Sequence, residues 1–342
     1  MILKFLIEIG KNKDPFTKLC GITLLDRVYR TLKHADLGTI YLSKDAGPQV
    51  IKYMEKAGYQ VQTATGPKTD FLAFSTDTVF NVEYVKELCG QKSFRPSFII
   101  VLKDSKDLIE AENKLIEACK KSGEGYITYA TRLVSLKISK YLCRTSITPN
   151  QITASRIPIF IISSVLIAYN FNYWTYFLGL FGHIMCATVL DAIDGDVARL
   201  KFQFSKQGEW MDMANDIIAS ILFTVSIAIL NSNLNHTYFD KVLNLATPVL
   251  FILANLMLIH VLFRNYSGGG FLSVMYDFSK NNILKTIVSE PVRRDTAMCI
   301  VGVIAMFYLT RTVLIMNCLM SIGIFVYYTV VMIRPKPITT KQ

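Results

Sequence analysis

Residues 191–216 read DAIDGDVARLKFQFSKQGEWMDMAND, six carboxylates set between long apolar runs. Asp191 and Asp194 are three apart and Ala198 is four further on, so all three share one face of a helix. Asp212 and Asp216 are four apart and also share a face. The connection KFQFSKQG is short, which makes the two helices antiparallel neighbours with four carboxylates converging between them. Unpaired carboxylates so close together repel, and burying them beside hydrocarbon is costly. Bound cations resolve the conflict. With no His or Cys in the stretch, the all-oxygen set favours magnesium, manganese or calcium over zinc. Two cations bridged by shared carboxylates suit phosphoryl chemistry, where they screen the attacking and leaving oxygens. Gly195 and Ala198 remove bulk beside Asp191 and Asp194, and Gly208 does the same at the start of the next helix. Arg199 supplies a cation for a diphosphate oxygen or for orienting an Asp. The plainer alternative is a set of interfacial acids solvated by head groups and water.

The apolar runs decide the setting. The chain has 342 residues, is 51% hydrophobic and carries a formal charge of +11, with mean hydropathy +0.34. That is high for a soluble protein, yet 18% charged residues is too many for one wholly in a membrane, so a soluble and a membrane part are expected. From about Gln151 six spans follow: ITASRIPIFIISSVLIAYNF, WTYFLGLFGHIMCATVLDAI, MDMANDIIASILFTVSIAIL, VLNLATPVLFILANLMLIHVLF, TAMCIVGVIAMFYLT and VLIMNCLMSIGIFVYYTVVMI. A span needs roughly 20 apolar residues. Lys137, Lys140, Arg144, Arg199, Lys201, Lys206, Arg264, Lys280, Lys285, Arg293, Arg294, Arg334 and Lys336 all fall in one set of connections. That asymmetry predicts cytoplasmic termini and puts the acids on the cytoplasmic side of a multi-pass protein of the cell membrane. It also accounts for the basic charge without nucleic acid. The seven cysteines are scattered with no C-x-x-C pair, which predicts free thiols and no structural zinc. The first residues, MILKFLIEIGKNKD, are too short and charged for a secretory signal.

The acid stretch fits D-x2-D-G-x2-A-R-x8-G-x3-D-x3-D at Asp191, Asp194, Gly195, Ala198, Arg199, Gly208, Asp212 and Asp216. It resembles the signature of the CDP-alcohol phosphotransferases, integral membrane enzymes that build phospholipid head-group linkages. The resemblance runs from about Arg132 to the end. It implies that Asp191, Asp194, Asp212 and Asp216 bind two divalent ions, magnesium or manganese. Asp216 would be the general base for the incoming hydroxyl, while Asp191, Gly195, Ala198, Arg199 and Gly208 would hold the nucleotide and diphosphate. By the same resemblance an alcohol or alcohol phosphate would attack the phosphorus distal to cytidine and CMP would leave, with no covalent intermediate. None of the four histidines begins an H-x-K motif, which excludes a phospholipase-D-like phosphohistidine route. Homodimers are a further family expectation. VSLKISKYLCR suits a helix lying in the membrane interface, and Thr148-Pro149-Asn150 leads into the first span as in many members. Candidate acceptor-binding residues are Lys140, Thr148, Asn150, Arg156, Lys201 and Lys206; the alternative for the basic ones is contact with anionic lipid.

Residues 1–130 alternate apolar strands (ILKFLIEIG, GTIYLS, FLAFST, SFIIVLK, GYITYA) with helices (LLDRVYRTLKHA, EYVKELC), an α/β pattern. KLCGITLLDRVYRTLKHADLGTIYLS is similar to the region after the nucleotide loop of sugar- and cytidylyltransferases, and FLAFSTDTVFN to their strand ending in a metal-binding Asp, here Asp77. Bifunctional enzymes fuse such a domain to a CDP-alcohol phosphotransferase, making CDP-inositol and then using it. Here the loop is IGKNKDPFTKL, with only Gly10; a phosphate cradle needs closely packed backbone amides. A degenerate, structural or regulatory domain is therefore expected.

The expected architecture is an α/β soluble domain (1–130), an interfacial helix and linker (131–150), an all-α six-helix membrane domain (151–334) and a tail (335–342). The expected function is CDP-alcohol phosphotransfer in phospholipid or inositol-phosphate head-group synthesis. The alternatives are the bifunctional inositol-phosphate cytidylyltransferase and di-inositol-phosphate phosphate synthase type, a cation-binding transporter, and a silent membrane anchor. The loop with Gly268–Gly270 is either a lid or an ordinary connection.

Overall fold

A computed structural model describes residues 3–91, 96–120, 126–265 and 294–333. The chain divides into two compact units that interleave along the sequence. One comprises Met1–Glu124, Arg132–Pro149 and Ile193–Phe204; the other comprises Gly125–Thr131, Asn150–Ala192 and Ser205–Gln342. The triple-glycine loop lies outside the described residues.

In the first unit β1 (Leu3–Glu8), β4 (Gly38–Leu42), β5 (Gln62–Thr63) and β6 (Leu72–Ser75) form a parallel sheet in the order β5-β4-β1-β6. Strands added first on one side of β1 and then on the other make a doubly wound sheet, whose switch point lies beside the carboxyl end of β1. Two antiparallel pairs accompany it, β2 (Lys18–Leu19) with β3 (Ile22–Thr23) and β7 (Thr78–Phe80) with β8 (Ile99–Val101). Helix α1 (Leu24–Ala35) starts where the Thr23 side chain accepts from the Asp26 amide, a capping arrangement that satisfies an otherwise orphan donor. Its apolar face joins Phe5, Ile7, Ile40, Leu42 and Phe74 in the core. Helices α2 (Pro48–Lys56), α3 (Val82–Leu88) and α4 (Ser105–Glu117) complete the α/β part.

GYITYA, expected as a strand, is instead helical from Tyr126, within α5 (Tyr126–Leu142). The helix-favouring run that follows overrides the β-branched residues, a case of context outweighing local propensity. Arg132, Ser135, Ser139 and Cys143 are buried at helical spacing, while Leu133, Val134, Ile138 and Tyr141 are exposed. The polar side faces protein and the apolar side faces out.

The described residues of the second unit are helical: α6 (Pro149–Tyr169), α7 (Tyr173–Met185), the motif helix α8 (Asp191–Lys201, which passes into the first unit after Ala192), α9 (Lys206–Leu234), α10 (Tyr238–Asn265), α11 (Arg294–Met306) and α12 (Thr310–Ile333). One π-helical turn, Cys186–Leu190, joins α7 to α8. Among the described residues four helices are long and apolar enough to cross a membrane: Pro149–Tyr169, Tyr173–Lys201, Lys206–Leu234 and Tyr238–Met257. Ala297–Met306 and Thr310–Val326 are shorter apolar helices. Ile227, Leu230, Val301, Val313 and Leu314 form the interior, while Ile162, Leu178, Leu245, Leu256 and Leu319 are exposed on the outside. An apolar exterior around an apolar interior suits a lipid solvent.

Polar anchors sit inside this unit. Asp240 is fully buried and takes both Nε and Nη2 of Arg311 at 2.8 Å. Asn231 donates to Asn244 and accepts from Thr310, tying α9, α10 and α12 together.

Candidate active site

Three helices of the second unit bring acids and one cation together. Arg156, about two turns into α6, is fully buried. Its Nη1 lies 2.7 Å from Asp212 Oδ1, and its Nη2 lies 2.9 Å from Asp191 Oδ1 and 3.1 Å from Asp216 Oδ1. The three carboxylates are 22–44% exposed, so the cluster is rooted inside and open on one side. Asp191 follows directly on the π-helical turn. The extra residue in that turn re-aims what comes after it, a device common at functional sites. Asp212 and Asp216 project from α9 one turn apart. Buried Asn215 donates to the Thr153 carbonyl and fixes α9 against α6.

Three carboxylates and one guanidinium leave a formal charge of −2. One oxygen from each of Asp191, Asp212 and Asp216 lies within 4.8 Å of the others. Oxygens sharing one hard cation at about 2.1–2.5 Å are no more than about 4–5 Å apart. Charge, donor type and spacing all fit a divalent cation.

Asp194 lies one turn further along α8, buried, in the first unit. Around it Ile193, Val197 and Leu200 are buried, while Gly195, Ala198 and Arg199 are half-buried, leaving a strip of low side-chain bulk. Arg199 donates from Nη2 to Asp196 Oδ1 at 2.7 Å, and a Cβ on Gly195 would come within 3.5 Å of its guanidinium. Asp196 is fully buried and also paired with Arg132 of α5. Sequence reasoning passed over Asp196; its signal was an acid on the opposite face of the motif helix. At Gly208 the close approach is specific. A Cβ there would meet Asn150 Oδ1 at 2.8 Å and Ser205 Oγ, its own helix cap, at 3.0 Å.

The other candidate acceptor residues are dispersed. Arg156 lies among the motif acids. Lys140 donates to Asn113 Oδ1 of α4 at 2.8 Å. Lys201 is buried and donates to the Thr145 and Ile147 carbonyls. Lys206 is exposed at the start of α9, and Thr148 and Asn150 are half-buried around the start of α6.

In the α/β part, Asp77 occupies the switch point of the sheet. Its carboxylate accepts from the Asn12 amide at 2.8 Å and the Lys13 amide at 2.9 Å. A Cβ on Gly10 would fall 2.1 Å from the same carboxylate carbon. The loop amides that would face a phosphate thus have an anion of their own.

Comparison with known proteins agrees with this geometry. The chain is 31% identical over 126 residues to the bifunctional IPC transferase and DIPP synthase of Aquifex aeolicus (strain VF5), a match covering 36% of this chain and 27% of that protein. The likeness therefore spans about a quarter of that relative's length. Residues 146–331, more than half of the chain and including every motif position, match the family described as CDP-alcohol phosphatidyltransferase. The spacing of the eight motif residues, the convergence of three of its acids and this match have one meaning: the chain belongs to the CDP-alcohol phosphatidyltransferase family.

Proposed function

We propose that this protein is a membrane CDP-alcohol phosphotransferase, moving a substituted phosphate from a CDP-alcohol to an acceptor hydroxyl with release of CMP. The convergence of Asp191, Asp212 and Asp216 around the buried Arg156 cation carries the reading. Asp216 takes the hydroxyl proton of the acceptor. The freed oxygen forms a bond to the phosphorus distal to cytidine, the bond from that phosphorus to the bridging oxygen breaks, and CMP leaves with the electron pair. Two magnesium or manganese ions on Asp191, Asp194, Asp212 and Asp216 would supply charge neutralisation for the diphosphate oxygens. Gly195, Ala198 and Gly208 give the nucleotide a surface of low bulk, and Arg199 supplies a fixed cation beside it.

Six spans remain the proposed arrangement, with α11 and α12 as the fifth and sixth. The 24 residues of α12 extend about 36 Å, enough for a hydrocarbon core of about 30 Å. The basic bias of one set of connections supports cytoplasmic termini and a cytoplasmic active site in the cell membrane. The exposed Leu133, Val134, Ile138 and Tyr141 support residues 131–142 of α5 as the interfacial helix of the proposed 131–150 segment. A homodimer is the family expectation. The name of the Aquifex relative makes an inositol phosphate the first acceptor to try.

The test is CMP release by the purified protein with magnesium, using CDP-diacylglycerol, CDP-archaeol and CDP-inositol in turn. Each donor is paired with glycerol phosphate, inositol phosphate, inositol and serine. One pair is expected to give acceptor-dependent CMP, and Asp216→Asn to lower its rate by about 10²–10⁴-fold with donor binding retained. Full activity in that variant would remove Asp216 as the base. No turnover and no nucleotide binding across the panel would leave the membrane half as an anchor.

A further inference from the structure

Helix α8 ends in an unusual way. The last four carbonyls of a helix have no partner within it. Here the Gln203 amide takes the Ala198 carbonyl at 2.9 Å and the Phe202 amide reaches the Arg199 carbonyl at 3.4 Å. That is the pattern of a Schellman cap, whose left-handed residue is most often glycine. This chain has Phe202 there, with φ 52°, a conformation that disfavours any residue with a Cβ. The two remaining carbonyls are satisfied from outside the helix. Arg27 of α1 donates from Nη2 to the Leu200 carbonyl at 2.9 Å, and Arg30 of α1 donates from Nη1 to the Lys201 carbonyl at 2.8 Å.

The two arginines are themselves held. Arg27 is buried; it also donates to the Leu19 carbonyl at 2.9 Å and lies over the Phe202 ring at 5.8 Å. Burial lowers its pKa, a cost that the carbonyls offset. Arg30 donates from Nε to Tyr59 Oη at 3.1 Å, and that hydroxyl donates to Asp26 Oδ1 at 2.8 Å. His34, one turn further along α1, stacks on Phe204 at 5.4 Å. Three residues of one helix, at positions 27, 30 and 34, therefore grip residues 200–204. Two cations at a helix C-terminus also complement its dipole.

We infer that the α/β domain serves the phosphotransfer reaction as a clamp on the motif helix, with Arg27 and Arg30 as positioning residues that hold Asp194, Gly195, Ala198 and Arg199 in register. The role of the clamp in catalysis rests on the function proposed above; the clamp itself does not. Only four residues, 202–205, separate α8 from α9, so the end of α8 also limits where the following acids begin. A domain of nucleotidyltransferase type would then be retained for what its first helix holds.

The test uses the full chain in detergent and compares Arg30→Met, Arg27→Met and Arg30→Lys with Val85→Ala, which loosens the α/β core behind α1 and removes none of the hydrogen bonds from Arg27 and Arg30. Amide exchange of residues 200–205 and manganese binding followed by electron paramagnetic resonance are measured on each, and the magnesium dependence of CMP release where a donor is known. In Arg30→Met the exchange is expected to rise about tenfold or more and manganese binding to weaken severalfold. Arg30→Lys should recover part of both, and Val85→Ala should leave manganese binding unchanged. Arg27→Met is expected to do more, and if it fails to fold Arg30→Met decides alone. Unchanged exchange in Arg30→Met overturns the clamp. Faster exchange with unchanged manganese binding overturns the positioning role. If no donor is turned over, the function proposed above fails while exchange and manganese binding still judge the clamp.

Discussion

Arg156 and its three carboxylates stand or fall as a set. A buried guanidinium without acids, or acids without a counter-charge, would each leave desolvated charge that the site cannot hold. Arg156→Met removes the cation and leaves Asp191, Asp212 and Asp216 facing one another. The variant is expected to melt several degrees below the parent in EDTA and to recover most of the loss in saturating magnesium, because a cation that binds only the folded state stabilises it by mass action. Melting curves in the two buffers check this; an equal loss in both would mean that Arg156 serves packing and not charge. Its place was half legible. Arg156 falls inside the apolar run ITASRIPIFIISSVLIAYNF, where a charge needs a polar partner, and the spacing of the acids showed that they share faces. Which partner it met depended on how α6 lies against α9, and nothing local to either helix encodes that.

At the scale of elements, α9 begins against the start of α6 with almost no space to spare. Gly208→Ala would bring a helix propensity gain of about 1 kcal/mol, but its Cβ meets Asn150 Oδ1 at 2.8 Å and Ser205 Oγ at 3.0 Å. Overpacking of that kind costs about 1–3 kcal/mol, so net destabilisation is expected. Asn150→Ala in the same chain should relieve it, with a coupling above about 0.5 kcal/mol in a double-mutant cycle; strictly additive losses would mean that the glycine is kept for the ligand alone. Ligand access was the reason the motif suggested for this glycine; the structure shows a packing reason. The π-helical turn before Asp191 was not legible, because Cys186–Leu190 is composed like any other part of an apolar helix. The reversed amphipathicity of α5 was only partly legible. Leu136 and Tyr141 marked an interfacial helix, but the buried stripe Arg132, Ser135, Ser139 and Cys143 is polar by composition.

For the whole molecule, the question is whether the α/β part is a second enzyme. Its switch point is where a doubly wound sheet takes a ligand, and Asp77 fills that point with a carboxylate on the Asn12 and Lys13 amides. Magnesium with CTP is therefore expected to leave the melting of the α/β part unchanged. Asp77→Ala is expected to destabilise that part by about 1–3 kcal/mol, the cost of amides left without an acceptor, and not to confer cytidylyl transfer. A CTP-dependent rise in melting temperature of the unmodified chain would reinstate the bifunctional reading. The sequence pointed the same way through the single glycine of IGKNKDPFTKL, but not to the residue that takes the place of phosphate.

Sequence by itself determined the reaction family, the α/β-then-helical order and the acids. Each of these depends on residue type at short range: eight positions at set intervals, apolar runs of sufficient length, a period of 3.6 residues. Tertiary structure alone decided what each charge meets. Arg156 joined three acids 35, 56 and 60 residues further along the chain, Arg132 found Asp196, Arg311 found Asp240, and Arg27 and Arg30 found the last carbonyls of the motif helix. A long cationic side chain reaches many acceptors at similar cost. Which one it takes is fixed only when whole helices pack, by burial that penalises every unpaired alternative.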